Sequence, residues 1–263
     1  MKIIPFGTNG FFPSYSRQTA CYVIPYGKIL IILDAGSGLF RFAEPIGIKL
    51  LAKVREIHVF LSHYHLDHTF GFYSAFALFR GKKVTVFGSH EGGVFSEFIT
   101  QENFTEKYSK KNKNFIFKTL SEDVIRIMDY EVFVRRQFHR GVGSLAYRFA
   151  FSGNKTVAYV TDSEPNAESI EFVRDADLLL HEHDFENEKS KYVKGTKLEK
   201  LFNGAHVTTA GAAVTANRAK VKKLYLIHHN PFANDESLNR ELKASKSIFK
   251  ESFLAKDLEA INF

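Results

Sequence analysis

Short apolar runs recur along the whole chain, and turn-forming polar residues and glycines separate them. Runs of this length, rich in valine, isoleucine and phenylalanine, are typical of β-strands. They predict strands near 2–6, 20–26, 29–34, 56–62, 83–88, 115–119, 131–139, 145–151, 155–162, 177–183, 222–228 and 257–263. Between the second and third of these strands, the Tyr26-Gly27-Lys28 segment predicts a tight hairpin turn.

Other segments space their apolar residues with the period of an α-helix. They predict helices near 39–53, 68–80, 89–101, 166–175, 208–219 and 236–255. Thr208 and Thr209 precede an alanine-rich run, where their hydroxyl groups are placed to cap the helix. The polar segment 102–114 is expected to be a surface loop.

The order of these elements predicts the fold class. Strands crowd the first part of each half of the chain, and a strand–helix–strand pattern closes each half. This order favours an α/β fold in which two mixed sheets pack face to face with helices outside, an αββα sandwich. A chain of 263 residues with no linker or internal repeat is expected to form a single domain over 1–263.

The overall charge adds a weak indication of the partner. The chain has 36 Lys and Arg against 29 Asp and Glu, which gives a net charge of +7. This excess favours an anionic partner such as a phosphate ester, although scattered lysine runs are also typical of an ordinary solvated surface.

Several features together predict a cytoplasmic protein. The single cysteine, Cys21, cannot form an internal disulfide, and the chain reaches Gly7 too soon for the apolar stretch of a signal peptide. No uncharged apolar run approaches the roughly 18–20 residues that a membrane helix needs.

The richest chemistry lies in the segment Ser62-His63-Tyr64-His65-Leu66-Asp67-His68, directly after an apolar strand. His63 and His65 share one side of an extended loop because side chains alternate along it, while Asp67 and His68 fall at the start of the next helix. Imidazole nitrogens and carboxylate oxygens are ligands that zinc and manganese accept. The segment therefore predicts a metal site, and such an array of ligands can serve two adjacent ions.

Four further polar residues follow predicted strands directly: Asp34, His139, Asp162 and His228. The carboxyl ends of strands are where an α/β protein commonly builds its site. Each residue alone is also typical of a strand end that meets water, so the evidence is collective.

In this order of motifs the sequence resembles the metallo-β-lactamase superfamily of dinuclear hydrolases. Asp34 precedes Ala35-Gly36-Ser37-Gly38, the His63–His68 segment is the signature, and the later motifs follow in turn. The resemblance implies two divalent metal ions, with zinc expected ahead of manganese as the metal bound. The implied ligands are His63, His65 and His139 for one ion, Asp67, His68 and His228 for the other, and Asp162 bridging both. Asp34 is then a buried residue that orients ligands.

The C-terminal quarter is similar to the phosphodiesterase branch of that superfamily, which contains RNase Z and small cyclic-phosphate phosphodiesterases. His206 of the His-Val-Thr sequence stands 22 residues before His228, where the branch has a His-x-Thr motif. The resemblance implies that His206 contacts a phosphoryl oxygen or protonates the leaving oxygen. The alternative is a histidine that only caps the following helix.

Three other histidines near these motifs are further candidates for the site. His229 competes with His228 for the last ligand position, and the spacing favours His228. His181 and His183 are expected to line the site without binding metal.

The resemblance implies hydrolysis of a phosphodiester by a metal-bridging hydroxide, with Asp67 and His206 as catalytic residues. Only 23 residues separate His139 from Asp162, which leaves no room for the arm that transfer-RNA processing needs in the resembled enzymes. We therefore expect a small cyclic phosphate, chiefly a cyclic nucleotide, as substrate rather than a long nucleic acid, and no membrane partner.

Alternatives to this function stay open on the sequence alone. They are an RNase Z-like nuclease, a lactonase or thioesterase on the same fold, and a non-catalytic binding protein, which the full set of ligands disfavours. A homodimer is expected by analogy with relatives. Phe11, Phe12 and Tyr15 are candidates for stacking on a base, although aromatic core residues are the commoner explanation.

Overall fold

The computed structural model describes residues 1–89, 97, 99, 114–120, 124–127 and 129–263. The chain divides into two compact units, one of Met1–Ser121 with Lys256–Asn262 and the other of Glu122–Ala255 with Phe263. Among the described residues, each unit contains one mixed sheet of seven strands. No helix in the described part of the chain is both long enough and apolar enough to cross a membrane.

The sheet of the first unit combines an antiparallel half with a parallel half. Its strands are β1 (Lys2–Gly7), β2 (Cys21–Tyr26), β3 (Ile29–Leu33), β4 (Glu56–Phe60), β5 (Lys83–Gly88), β6 (Phe115–Thr119) and β14 (Ile261–Asn262). Their order is β14-β1-β2-β3-β4-β5-β6. The pairs from β14 to β3 are antiparallel, and those from β3 to β6 are parallel. β3 is wholly buried, which explains why its sequence Ile-Leu-Ile-Ile-Leu is continuously apolar rather than alternating.

The first unit has short helical segments where the sequence predicted two longer helices. A 3₁₀ helix over Ser37–Ala43 precedes α1 (Pro45–Leu51), because proline suits the first turn of a helix and not its interior. The predicted helix 68–80 is likewise divided into α2 (Leu66–Thr69) and α3 (Phe72–Leu78).

A free thiol is enclosed in the core of the first unit. Cys21 on β2 has no exposed surface. Burial, together with the negative charges of Asp34 and Asp257, raises the pKa of the Cys21 thiol well above its usual range.

The second unit repeats the same pattern of strand directions. Its strands are β7 (Ile125–Ile127), β8 (Tyr130–His139), β9 (Val142–Phe151), β10 (Lys155–Val160), β11 (Leu178–Glu182), β12 (Leu224–Ile227) and β13 (Ser252–Leu254). The order is β13-β12-β11-β10-β9-β8-β7. The pairs from β7 to β10 are antiparallel, and those from β10 to β13 are parallel.

The described residues of the second unit form three α-helices, each preceded by a residue whose side chain caps it, and one 3₁₀ helix. They are α4 (Ala167–Phe172), a 3₁₀ helix over Leu198–Lys200, α5 (Thr209–Arg218) and α6 (Asp235–Ile248). Thr208 accepts a hydrogen bond from the Gly211 N–H, so the predicted cap of the alanine-rich helix is present at Thr208. Almost every residue of α5 is buried, because small alanine side chains let it pack closely into the core cluster of this unit.

The predicted fold class is confirmed, since two mixed sheets of seven strands are flanked by helices. The prediction of one helix over 236–255 is wrong in its last third. α6 ends at Ile248, and Ser252–Leu254 instead pair with β12 as an edge strand. Most of the predicted helix 89–101 and loop 102–114 lies outside the described residues. The single-domain assignment stays a prediction.

Close packing of backbone holds the segment after β3 in place. A β-carbon at Gly36 would lie 2.1 Å from the Asp67 carbonyl oxygen and 2.4 Å from Thr19 Oγ1. A side chain therefore cannot enter without moving the backbone at Asp67.

We expect Gly36→Ala to lower the free energy of unfolding by about 1–3 kcal/mol, the usual cost of overpacking. Gly143→Ala is the matched control, since a β-carbon there meets nothing within 4 Å. Urea denaturation of both variants tests this, and equal stability of the two variants would contradict the close packing at Gly36.

Candidate metal centre

The loop after β4 brings three imidazoles and one carboxylate of the first unit together. His63 and His68 are buried, whereas His65 is exposed. His63 Nε2 lies 2.9 Å from His65 Nδ1, and the His63 and His68 rings are 4.3 Å apart between centroids. His68 Nε2 lies 3.2 Å from Asp67 Oδ2. All four predicted ligands of this motif are thus neighbours, and their donor atoms suit zinc or manganese.

Asp34 supports this loop from beneath. It follows β3 in a left-handed conformation, with φ of 55°, and has no exposed surface. Its carboxylate accepts hydrogen bonds from Ser62 N–H at 2.7 Å, from the Ser62 hydroxyl at 2.8 Å and from His68 Nδ1 at 2.8 Å. With Nδ1 of His68 held in this way, Nε2 is the nitrogen that His68 can offer to a metal.

The second unit gathers a second set around Asp162, at the carboxyl ends of its strands. Asp162 follows β10, and its Oδ1 lies 3.6 Å from His139 Nε2 and 3.6 Å from His206 Nδ1. Its Oδ2 lies 3.4 Å from His228 Nε2, which follows β12. Asp162 and His228 both have positive φ, 46° and 59°, so the main chain turns sharply where each strand ends.

His139, the last residue of β8, is oriented by a main-chain contact. Its Nδ1 donates a hydrogen bond to the Ala205 carbonyl oxygen at 3.1 Å. This bond fixes the tautomer and directs Nε2 toward Asp162, which is the arrangement that metal-binding histidines commonly show.

Glu182 is a residue that the sequence analysis missed. It is the last residue of β11 and has no exposed surface. Its Oε1 accepts the Ser163 N–H at 2.7 Å, and its Oε2 accepts His206 Nδ1 at 2.7 Å. Donor atoms of Asp162, Glu182, His206 and His228 all lie within 4.8 Å of one another, so this unit alone holds a group fit for a divalent ion.

A signal for Glu182 was present in the sequence. It is a carboxylate at the end of an apolar strand, as are Asp34 and Asp162. It lies between His181 and His183, whose imidazoles are the more common metal ligands.

The Glu182 carboxylate changes the acidity of His206. Burial alone disfavours the charged imidazolium, but the nearby negative charges of Glu182, Asp162 and Asp184 outweigh it and raise the pKa of His206 to about 9. This raised pKa favours the protonated form of His206 at neutral pH in this charge environment. It does not cap α5, a role that Thr208 performs instead.

Two further histidines of the second unit, His183 and His229, form an internal chain of hydrogen bonds. His229 Nε2 donates to the Ala255 carbonyl at 2.8 Å, and His229 Nδ1 lies 2.8 Å from His183 Nε2. His183 Nδ1 lies 2.9 Å from the Thr209 hydroxyl. With both rings neutral, His183 donates to His229 and accepts from Thr209. His228, and not His229, therefore faces Asp162.

Burial sets the charge of two histidines beside Glu182. It lowers the pKa of His183 well below its usual range and also lowers the pKa of His181, whose Nδ1 donates to the Glu182 carbonyl at 2.8 Å. These rings are therefore hydrogen-bonded core groups of the second unit.

The predicted ligands divide between the two units. His63, His65, Asp67 and His68 belong to the first, and His139, Asp162 and His228 to the second. Each unit brings its own members together. The seven as one set stay a prediction.

Comparisons with known proteins agree with these motifs. A family model described as the beta-lactamase superfamily domain matches residues 30–229. Ribonuclease Z of Picrophilus torridus is 25% identical, over 99% of this chain and 95% of the relative. Ribonuclease Z of Saccharolobus islandicus is 26% identical, over 99% of each chain.

Solved structures show the same fold. The short form of human tRNase Z superposes with a TM-score of 0.72 at 18% identity, over 100% of this chain and 99% of that one. A diphosphatase from the PhnP family gives a TM-score of 0.70 at 16% identity, over 100% of this chain and 96% of that one.

We expect His183→Ala to lower the free energy of unfolding by about 1–3 kcal/mol, because it removes the buried hydrogen bonds of His183 to His229 and to the Thr209 hydroxyl. Val193→Ala, at a position 62% exposed in the same unit, is the control and should change it by no more than about 0.5 kcal/mol. Urea denaturation at pH 7.5 measures both. A loss for His183→Ala no larger than that for Val193→Ala would show that the hydrogen-bond chain does not stabilise the unit.

Proposed function

This chain belongs to the beta-lactamase superfamily, and from that premise we propose that it is a metal-dependent phosphodiesterase. The observation that carries the proposal is the pair formed by buried Glu182 and His206 beside Asp162. A carboxylate that holds an imidazole protonated, beside the proposed metal ligand Asp162, is suited to deliver a proton to a leaving oxygen. This chemistry favours phosphodiester cleavage over the lactonase or thioesterase alternative.

We propose that two divalent metal ions, zinc or manganese, are bound by the residues that match the family motifs. Following the order of those motifs along the sequence, the ligands are His63, His65 and His139 for one ion, Asp67, His68 and His228 for the other, with Asp162 shared. Such ions act as Lewis acids, which neutralise phosphoryl charge and make water more acidic. Their charge would also lower the pKa of His206 from about 9 toward neutrality.

The protein groups then have separate tasks. Glu182 accepts a hydrogen bond from the Nδ1–H group of His206. The proton on Nε2 is therefore the one that His206 gives to the departing oxygen. Asp67 is the second proposed catalytic residue, and its carboxylate would hold its metal ion and orient the attacking hydroxide, so that no separate protein base is needed. Asp34 and the Ala205 carbonyl keep the rings of His68 and His139 in the orientation that each task needs.

Two observations point to substrates of different size. The relatives named ribonuclease Z align over almost the whole chain, and their name favours RNA as the substrate. Yet these alignments run over 308 and 310 residues, so the relatives carry segments with no counterpart in the 263 residues of this chain.

The strand connections bear on the same question. Within residues 129–163, β8 and β9 are joined by Arg140 and Gly141 alone, and β9 and β10 by residues 152–154. This part of the chain has no arm, which supports a small substrate such as a cyclic nucleotide.

The metal content of the purified protein tests the ligand assignment. Elemental analysis should find about two zinc or manganese ions per chain. Asp34→Ala should weaken metal binding by about 10–100-fold, because His68 loses the group that orients it. A folded, untreated sample that contains no such metal would contradict the assignment.

His206→Ala tests the proton donor. With a cyclic nucleotide, whose leaving group is an alkoxide, kcat should fall by about 10²–10⁴-fold while the metal content stays unchanged. With bis-(p-nitrophenyl) phosphate the loss should be smaller, because nitrophenolate leaves without protonation. An equal loss on both substrates together with lost metal would make His206 a ligand, and an unchanged rate on the cyclic nucleotide would remove its catalytic role.

A comparison of substrates separates the two candidates. Cyclic mononucleotides should be cleaved with a higher kcat/KM than precursor transfer RNA. The reverse ranking would establish the ribonuclease Z-type activity. Turnover of lactones or thioesters in place of any phosphodiester would refute the proposed function.

A further inference from the structure

Phe11 is an exposed aromatic residue in direct contact with a proposed catalytic carboxylate. Its main-chain N–H donates a hydrogen bond to Asp67 Oδ2 at 2.8 Å. The residue is 73% exposed, and its ring lies 5.0 Å from that of Phe12 between centroids. The main chain is thus tied to the His63–His68 loop while much of the ring surface faces solvent.

The backbone of Phe11 adopts a conformation that does not favour a bulky side chain. Its φ is 59°, in the left-handed region where glycine is the default residue. A glycine would make the same N–H contact to Asp67 without steric cost. The choice of phenylalanine is therefore explained neither by the backbone nor by burial in the core.

The loop around Phe11 is held rigidly from within. Buried Asn9 donates hydrogen bonds to the Phe12 carbonyl at 3.3 Å and to the Ser14 hydroxyl at 3.1 Å, and its Oδ1 accepts Arg17 Nε at 2.6 Å. A strained residue that its surroundings hold in place commonly marks a functional site. Here the braced loop fixes the ring of Phe11 relative to Asp67.

We propose that Phe11 determines specificity by stacking its ring on the planar base of the substrate while its N–H holds Asp67. The inference rests on the proposed phosphodiesterase function and assigns the residue that contacts the base of its nucleotide substrate. Stacking on an aromatic ring tolerates any base, because every base presents a flat face. The net charge of +7 favours the phosphate of the same molecule.

The proposal is tested by binding, without turnover. Titration calorimetry of the purified protein with adenosine 5′-monophosphate and with ribose 5-phosphate compares two ligands that share the ribose and the phosphate, of which only the first carries a base. The protein should bind the nucleotide roughly tenfold more tightly, as expected for one stacked base.

Variants at Phe11 separate the ring from the backbone. Phe11→Leu and Phe11→Gly should bring the affinity ratio of the two ligands close to one with little change for ribose 5-phosphate, and Phe11→Tyr should keep the ratio. Because glycine relieves the left-handed strain, Phe11→Gly should melt at or above the temperature of the parent protein. Its loss of base preference would then not be a loss of folding.

Tyr26→Leu is the matched aromatic control. Tyr26 is the last residue of β2 and pairs with Ile29, so it lies at the end of β3 opposite to Asp34. This variant should keep the affinity ratio of the parent protein.

The outcomes distinguish this inference from the proposed function. The inference is overturned if the parent protein shows no base preference, including no measurable nucleotide binding at millimolar concentration, or if Phe11→Leu keeps the preference. If the protein cleaves no phosphodiester but Phe11→Leu abolishes the base preference, the proposed function fails and the assignment of Phe11 stands.

Discussion

Buried negative charge is the constraint on which both units depend, because a carboxylate removed from water must be compensated by donors or cations. Asp34 meets this requirement with three hydrogen bonds from Ser62 and His68. Glu182 meets it with a main-chain N–H and the imidazole of His206. Asp162 accepts a hydrogen bond from the Thr161 hydroxyl at 2.6 Å, and three imidazoles lie 3.4–3.6 Å from its oxygens.

The two units place their carboxylates by the same device. β3 and β10 each pair antiparallel with the strand before them and parallel with a strand that follows later. Asp34 and Asp162 come directly or one residue after these strands, both with positive φ. The surroundings then separate their roles, since one carboxylate is enclosed by hydrogen-bond donors and the other by the rings of histidines.

Much of this arrangement could be predicted from the sequence, because its signals are local. The four ligands of the signature lie within six residues, so a single loop is enough to gather them. For Glu182 the sequence offers only its place at a strand end, because its partner His206 lies 24 residues later and only the folded unit brings the two within 2.7 Å. The edge strand Ser252–Leu254 was mistaken for helix because its apolar residues continue the buried face of the preceding segment. Pro45 indicated a helix boundary within the predicted helix 39–53, but the helical spacing of apolar residues continues through it.

The enclosure of Cys21 gives the first unit a built-in reporter. A thiol with a raised pKa and no accessible surface does not react with alkylating reagents while β2 is in place. Labelling therefore requires that the sheet around β2 opens, and the rate of labelling measures how often this opening occurs. Since Gly38 packs against the β-carbon of Cys21, a change in the segment that follows Asp34 should also change this rate.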